Sequence, residues 1–258
     1  MSPRGVSRLR RWQCLTLVAL SLAIYTALAP FGYALFALIA LLPARSPQKR
    51  ARRLRHVVRS AMGLLHGWMR LTRLLDFRPS ELSRQLPAGP YVVVANHPTL
   101  TDSTALLSAI PDVCTAVRTD LFNRRSLRPL LAACGHFDAG PTNPLGGARF
   151  LDQAVKRLGM GLPVLVFPEG TRSPRGGLGH FGRSAFEAAC RAGVPVVAIL
   201  IRENPEFLAK GQGLFGHPAA VPEKRAQVWR VLSPGDFSED SRRMRDYVES
   251  EYRQALAR

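Results

Sequence analysis

From residue 85 onward, short apolar runs alternate with longer segments in which apolar residues recur at helical spacing. The short runs are typical of buried strands and the longer segments of amphipathic helices. The predicted strands cover residues 91–95, 113–117, 164–167, 194–201 and 226–231, and the predicted helices cover residues 103–109, 127–133, 147–158, 184–192 and 241–257. This alternation predicts an α/β domain over residues 81–258, with a mostly parallel central sheet flanked by helices.

A long apolar run precedes this domain, and no charged residue occurs between Cys14 and Leu42. An upright transmembrane helix needs about 20 apolar residues, so the run is too long for one upright helix and too short for two full crossings. Pro30 and Gly32 lie near its middle, and both residue types disturb helices. Residues 1–44 are therefore predicted to be a membrane anchor, either a single tilted span kinked at Pro30 or a re-entrant helical hairpin.

Positive charge flanks both ends of this anchor. The formal net charge of the chain is +18, and the first acidic residue is Asp76. Basic flanks prefer the cytoplasmic side, which slightly favours the hairpin and puts the main domain in the cytoplasm. The predicted location is the cell membrane, of the bacterial inner-membrane type. A cleaved export signal is the alternative, since Arg10-Arg11 resembles a twin-arginine start, but the apolar run continues well past any cleavage site.

Residues 45–80 are predicted to form a basic amphipathic helical region. Apolar residues recur there at helical spacing, and arginines occupy the other faces. Such a region packs on the main domain or lies on anionic lipid headgroups, and both can hold at once. The apolar positions are Leu54, Val57, Val58, Ala61, Leu64, Leu65 and Trp68.

The charge and cysteine content narrow the classes of partner. A strong positive excess implies nucleic acid, a membrane surface or a phosphorylated substrate. Because the excess clusters around the apolar run, membrane lipids are the predicted partner and nucleic acid is not. The four cysteines are scattered without a C-x-x-C pair, so they are predicted to be reduced, and no ligand spacing indicates a metal.

The segment from Asn96 to Asp102 carries the candidate chemistry, because it follows a predicted strand and places a histidine close to a carboxylate. A bend is needed to bring His97 and Asp102 together, and Pro98 supplies one. Thr101 can then cap the next helix, with Asp102 in its first turn, where a carboxylate is favoured. Asp102 would accept a hydrogen bond from His97 Nδ1, leaving the other ring nitrogen as a general base that activates a hydroxyl.

A second loop, Phe167-Pro168-Glu169-Gly170-Thr171-Arg172-Ser173, also ends a predicted strand. Gly170 permits close backbone approach, Thr171 offers a hydroxyl and an N–H, and Arg172 offers a planar fork suited to phosphate. Glu169 is expected either to hold Arg172 in place or to contact an acceptor hydroxyl. The two loops meet at the C-terminal edge of the predicted sheet, where ligand sites of such sheets gather.

These residues resemble the motifs of the glycerolipid acyltransferase superfamily. Its N-H-x₄-D motif is matched by Asn96, His97 and Asp102, its F-P-E-G-T-R-S motif by residues 167–173, and its V-P-V element by residues 194–196. The resemblance implies His97 as base with Asp102 as its partner. It also implies Glu169, Gly170, Thr171 and Arg172 as acceptor-site residues, beside the substrate-binding Asn96.

The same resemblance implies the reaction and its substrates. A fatty acyl group would pass from an acyl thioester, acyl-CoA or acyl-carrier protein, to a hydroxyl of a lysophospholipid-like acceptor, with 1-acylglycerol-3-phosphate as one candidate. No cofactor beyond this co-substrate is expected. The family's second motif carries an arginine that binds the acceptor phosphate, whereas residues 135–140 here read G-H-F-D-A-G. We therefore expect a different hydroxyl lipid, or a phosphate bound only by Arg172 and neighbouring cations, with Arg149 as a possible substitute for the missing arginine.

Two other classes of function stay open on the sequence alone. One is a non-catalytic lipid-binding member of the same fold, which the intact His97 and Asp102 disfavour. The other is a hydrolase, which the absence of a G-x-S-x-G nucleophile motif disfavours.

Overall fold

The structure is a computed structural model that describes residues 8–140, 143–213, 216, 218 and 220–257. Its strands are β1 (Val92–Ala95), β2 (Cys114–Val117), β3 (Phe137–Asp138), β4 (Val164–Val166), β5 (Val196–Asn204) and β6 (Glu223–Leu232). They form one sheet in the order β3-β2-β4-β1-β5-β6. Only the β5–β6 pair among these strands is antiparallel, so the predicted mostly parallel sheet is confirmed.

The helices agree with the predicted positions and shift only at their ends. They are α1 (Arg8–Leu41), α2 (Pro47–Leu71), α3 (Pro79–Ser83), α4 (Asp102–Ala109), α5 (Thr119–Phe122), α6 (Arg128–Ala133), α7 (Pro144–Gly159), α8 (Ser184–Ala192) and α9 (Ser241–Leu256). The short elements α3, α5 and β3 were not predicted, because so few residues carry no usable periodicity.

The sheet is covered on both faces, which follows from the alternation of side chains along its strands. Val92 and Val94 of β1 face a core cluster that includes residues of α7, α8 and α9. Val93 and Ala95 face a second cluster that includes residues of α3 and α4. Because both faces are packed, the C-terminal edge of the sheet is where polar side chains can meet a substrate.

The apolar N-terminal segment is one continuous helix, α1, with Pro30 inside it. A hairpin within the apolar run was slightly favoured above over a single span kinked at Pro30, and the hairpin is wrong for this structure. The turn falls instead before Pro47, where Ser46 Oγ accepts a hydrogen bond from Lys49 N (3.2 Å) and caps α2. A serine cap followed by proline in the first turn marks the start of α2. Residues 1–7 of the predicted anchor lie outside the described residues.

Helix α1 runs antiparallel along α2 and is tied to it at both ends. Trp68 Nε1 donates to Ser21 Oγ (3.0 Å), and Val18 lies in a buried cluster with Met69. Near the other end, Phe36 is buried against Leu54. Within the described residues, Trp12–Leu41 is the one segment long and apolar enough to cross a membrane, and only 6% of its most apolar window is buried.

Helix α2 in turn packs on the α/β domain, partly through its basic residues. Arg55 donates to Asp112 Oδ1 (2.7 Å) and to Cys134 O (2.8 Å), and Arg59 donates to Ser108 O (3.2 Å). The guanidinium groups of Arg55 and Arg59 are therefore used inside the protein. Others, such as Arg52, stay exposed.

Candidate active site

The segment after β1 folds back as the Pro98 bend predicts, and it brings His97 to Asp102. His97 Nδ1 lies 3.0 Å from Asp102 Oδ2, and Asp102 is the first residue of α4. Thr101 occupies the N-cap position, yet its side chain makes no capping hydrogen bond. The Asp102 carboxylate instead accepts from Thr99 N (2.7 Å) and Thr99 Oγ1 (2.9 Å), which ties the turn before α4 to the first residue of that helix.

Asp102 is fully buried and belongs to a cluster of ionisable side chains. Lys224 Nζ donates to Asp102 Oδ1, to Thr99 Oγ1 (2.8 Å) and to Glu203 Oε2 (2.7 Å). Burial acts to raise the pKa of the Asp102 carboxyl, but the charge of Lys224 and the hydrogen bond from His97 outweigh it and lower that pKa. Asp102 is thus an anion that holds the His97 ring from Nδ1.

The two partners of this cluster respond to burial in different ways. Burial acts to lower the pKa of Lys224, but Asp102 and Glu203 outweigh it, so that pKa lies above its usual value. At Glu203, the effect of burial is larger than the effect of the Lys224 charge, so the pKa of this carboxyl is raised. Lys224 is therefore charged at neutral pH and compensates the carboxylate that faces His97.

The His97 ring is fixed on its face as well as at its edge. It stacks on Phe167, with ring centroids 4.2 Å apart and planes 22° apart. Its side chain is 15% exposed, and among the described residues Nε2 has no hydrogen-bond partner. The ring therefore offers one nitrogen to a substrate while the other is held by Asp102.

Glu169 links the two loops through the backbone, which differs from the expectation that it holds Arg172 or contacts an acceptor. Its Oε1 accepts from His97 N (3.0 Å) and Ser173 Oγ (2.6 Å), and its Oε2 accepts from Gly179 N (2.7 Å). Ser173 N also donates to His97 O (2.8 Å). Glu169 is therefore a brace for the backbone that carries His97.

The other matched residues divide between structural and open positions. Asn96 is buried, and its side-chain amide bonds to the backbone of β5. It donates to Ile201 O (2.8 Å) and accepts from Ile201 N (2.8 Å), so it joins two strands rather than facing a substrate. Arg172 Nη1 donates to Leu208 O (3.0 Å). Gly170, at a φ of 68°, and Thr171 are exposed at the tip of the loop.

The structure gives neither arginine proposed for phosphate recognition a contact with His97. Arg149 is exposed on α7, and within the described residues it makes no hydrogen bond or ion pair with the two loops. The segment that lacks the family arginine forms the edge strand β3. Asp138 at its end accepts from Thr119 Oγ1 (2.6 Å) and Gly140 N (2.9 Å).

Lys224 and Glu203 were not identified from the sequence, although they complete the site. They face each other across the β5–β6 pair. The predicted strands ended at residue 201 and began at residue 226, so both residues fell just outside them. The available signal was a glutamate and a lysine at strand ends next to apolar runs. This pattern is too common in proteins to identify residues of a site.

Fold and site together define an α/β protein with a histidine, held by a buried carboxylate, at the C-terminal edge of its sheet. The family model described as Acyltransferase matches residues 77–202. The mouse 1-acyl-sn-glycerol-3-phosphate acyltransferase alpha is 33% identical over 163 residues, which cover 57% of this chain and 50% of the mouse protein. A chloroplastic 1-acyl-sn-glycerol-3-phosphate acyltransferase of Brassica napus is 30% identical over 129 residues, covering 50% of this chain and 38% of that protein.

A solved structure agrees over nearly the whole length. The crystal structure of the 1-acyl-sn-glycerophosphate acyltransferase PlsC from Thermotoga maritima has a TM-score of 0.69 and 20% identity, and covers 97% of this chain and 96% of that one. This likeness establishes the fold. The chain spans about half the length of the mouse relative. The family match over residues 77–202 agrees with the resemblance of the two loop motifs to the glycerolipid acyltransferases.

The brace formed by Glu169 predicts unequal effects of two neighbouring glycine substitutions. A Cβ at Gly179 would lie 2.6 Å from Glu169 Oε2 and 3.3 Å from its Cγ, so Gly179→Ala must displace this carboxylate. We expect a loss of about 1–3 kcal/mol in the free energy of unfolding, the cost of breaking the hydrogen bonds of this half-buried carboxylate, measured by denaturant titration. The matched control is Gly177→Ala, whose Cβ meets its nearest atom at 3.6 Å and is expected to be neutral. Equal stability of the two variants would contradict this role of Glu169.

Proposed function

We propose that this protein transfers a fatty acyl group from an acyl thioester to a hydroxyl of a lysophospholipid-like acceptor, with His97 as the general base. The observation that carries the proposal is the 3.0 Å contact between His97 Nδ1 and a buried Asp102 carboxylate, which leaves Nε2 unpaired among the described residues. A neutral imidazole oriented in this way is suited to take a proton from a hydroxyl.

The transfer needs no nucleophile from the protein. The acceptor hydroxyl gives its proton to His97 Nε2 as its oxygen bonds to the thioester carbonyl carbon. The tetrahedral intermediate then collapses, the carbon–sulfur bond breaks, and the leaving sulfur receives the proton from the His97 imidazolium. The thioester is already an activated carbonyl, so the proposed chemistry involves no cofactor beyond the donor, acyl-CoA or acyl-carrier protein, and no metal.

This base catalysis predicts a large loss of transfer in two variants at the His97–Asp102 pair. His97→Ala removes the proton acceptor, and Asp102→Asn removes the anion that holds it, so each is expected to lower kcat by about 10²–10⁴-fold. The measurement is release of free CoA thiol from acyl-CoA in the presence of lysophospholipid, with unfolding midpoints measured to establish that the variants are folded. Undiminished transfer by folded His97→Ala would contradict the role of His97 as the base. No transfer by the unaltered protein would favour a non-catalytic lipid-binding protein, and fatty acid release without an acceptor would favour a hydrolase.

The acceptor differs, in our proposal, from that named for the curated relatives. Those proteins are named for 1-acyl-sn-glycerol 3-phosphate. Here residues 135–140 read G-H-F-D-A-G and contain no arginine, and Arg172 Nη1 donates to the backbone carbonyls of Leu208 and Ala209. We therefore propose a lysophospholipid-like lipid in which a terminal glycerol phosphate is not the recognised group.

A panel of acceptors tests this proposal. We expect kcat/KM for lysophosphatidic acid to be no higher than for lysophosphatidylethanolamine, lysophosphatidylglycerol or monoacylglycerol. Fast and selective use of lysophosphatidic acid by the unaltered protein would refute the altered acceptor.

We also propose that α1 enters the membrane from one side only, with the main domain on the cytoplasmic face. Helix α1 is about 51 Å long at 1.5 Å per residue and is almost entirely exposed outside its contacts with α2. Its partner α2 carries Arg50, Arg52 and Arg53 and cannot follow it across a bilayer. Because the two helices are joined along their length, α1 is expected to lie within one leaflet, beside the basic face of α2.

Cysteine labelling tests this topology. In a chain whose native cysteines are replaced, Gln13→Cys and Ser46→Cys mark the two ends of α1, and Arg242→Cys on α9 marks the main domain. A membrane-impermeant maleimide is expected to label all three from the same side of the membrane. Labelling of Gln13→Cys from the opposite side would instead establish a full crossing.

A further inference from the structure

Lys224 makes the most unusual set of contacts in the site, and none of the matched motifs includes it. Its side chain is fully buried, and its ammonium donates to Asp102, Thr99 and Glu203. Glu203 in turn accepts from Phe207 N (2.8 Å) through its other oxygen. The buried cluster therefore holds one ammonium and two carboxylates, and only one of those carboxylates touches His97.

Packing alone does not account for this cluster. Taking ions out of water is costly, and a well-packed apolar pair often serves stability as well as a buried ion pair. The ammonium of Lys224, on β6, donates to Asp102 Oδ1, while His97 Nδ1 contacts the other oxygen, Oδ2. The charge of Lys224 therefore acts on the same carboxylate that acts on the imidazole.

We propose that Lys224 and Glu203 are positioning residues that fix Asp102 and, through their opposite charges, set the pH at which His97 becomes a base. This inference rests on the proposed role of His97. Removing the charge of Lys224 leaves the Asp102 carboxylate uncompensated, which favours the imidazolium form of His97. The neutral imidazole, which is the base, then forms only at higher pH. Removing the charge of Glu203 has the opposite effect on the pH at which His97 loses its proton. Removing both charges leaves that pH nearly unchanged.

Other ionisable groups face the pair and stay unchanged in this comparison. His66 on α2 contacts Thr104 Oγ1 (3.1 Å), and burial together with the charge of Lys224 lowers the pKa of His66 to about 4, so it is neutral above that pH. Glu169 reaches His97 from the loop after β4, through the backbone N–H. Arg172, from the same loop, is directed to Leu208 O and Ala209 O.

The test follows the titration of the His97 ring in the full chain, in detergent micelles. Histidine labelled at Cε1 gives an NMR signal for each ring, and the His97→Gln variant assigns the signal of interest. The variants are Glu203→Gln, Lys224→Met and the double variant. The control is Glu223→Gln, which removes a carboxylate from the adjacent, exposed position of β6. The pH profile of kcat/KM for acyl transfer is measured on the same samples.

We expect the titration midpoint of His97 to rise by roughly one pH unit in Lys224→Met and to fall by a smaller amount in Glu203→Gln. In the double variant, the titration midpoint of His97 should lie near that of the unaltered protein. In Glu223→Gln, the midpoint should not change. The acidic limb of the kcat/KM profile should follow the same order. If Lys224→Met does not fold, the difference between the double variant and Glu203→Gln gives the effect of Lys224.

Equal midpoints in Glu203→Gln and the double variant would overturn the inference, as would an equal shift in Glu223→Gln. The ring titration needs no turnover, so it separates the two proposals. Shifted midpoints without any His97-dependent transfer would reject the proposed function and keep the charge coupling. Transfer that depends on His97, with midpoints that do not move, would reject the coupling alone.

Discussion

The site depends on one buried anion, the carboxylate of Asp102. It is removed from water, and yet the charge of Lys224 and the hydrogen bond from His97 hold its pKa below the usual value. It accepts from Thr99 twice and begins α4, so the same group shapes the backbone and orients the ring. A neutral Asp102 would lose both functions at once. The buried ammonium on β6 is the counterpart that such an anion requires.

A second carboxylate, Glu169, braces the backbone on the other side of His97. It accepts from His97 N and Gly179 N, and Ser173 N returns a hydrogen bond to His97 O. Two loops that are far apart in the chain are thereby joined at the edge of the sheet. The F-P-E-G-T-R-S segment thus serves in part to hold the histidine, with Phe167 stacked on the ring. The tip of that segment, at Gly170 and Thr171, stays exposed.

Local patterns predicted the strands, the longer helices and the meeting of His97 with Asp102, because each depends on neighbours in sequence. Pro98 sets the bend, and the valine run of β1 sets the strand. The brace by Glu169 and the cluster around Lys224 depend on contacts between distant segments, which periodicity does not encode. Glu203 and Lys224 even lie beyond the apolar runs that mark their strands, because the pair of charges extends the β5–β6 ladder. The hairpin within the apolar run was wrong, because α1 continues through Pro30 and α2 starts only at the Ser46-Pro47 cap.

The proposed position of α1 within one leaflet would put the proposed transfer at a lipid surface, because α2 packs both on α1 and on the domain that carries His97. The most direct measurement of the central claim is a structure of the full chain with a non-hydrolysable acyl-CoA analogue and a lysophospholipid. The account predicts His97 Nε2 within about 2.6–3.2 Å of the acceptor hydroxyl, with the carbonyl carbon of the donor on the far side of that oxygen. An acceptor bound with its hydroxyl turned away from His97, while Nδ1 still meets Asp102, would contradict it.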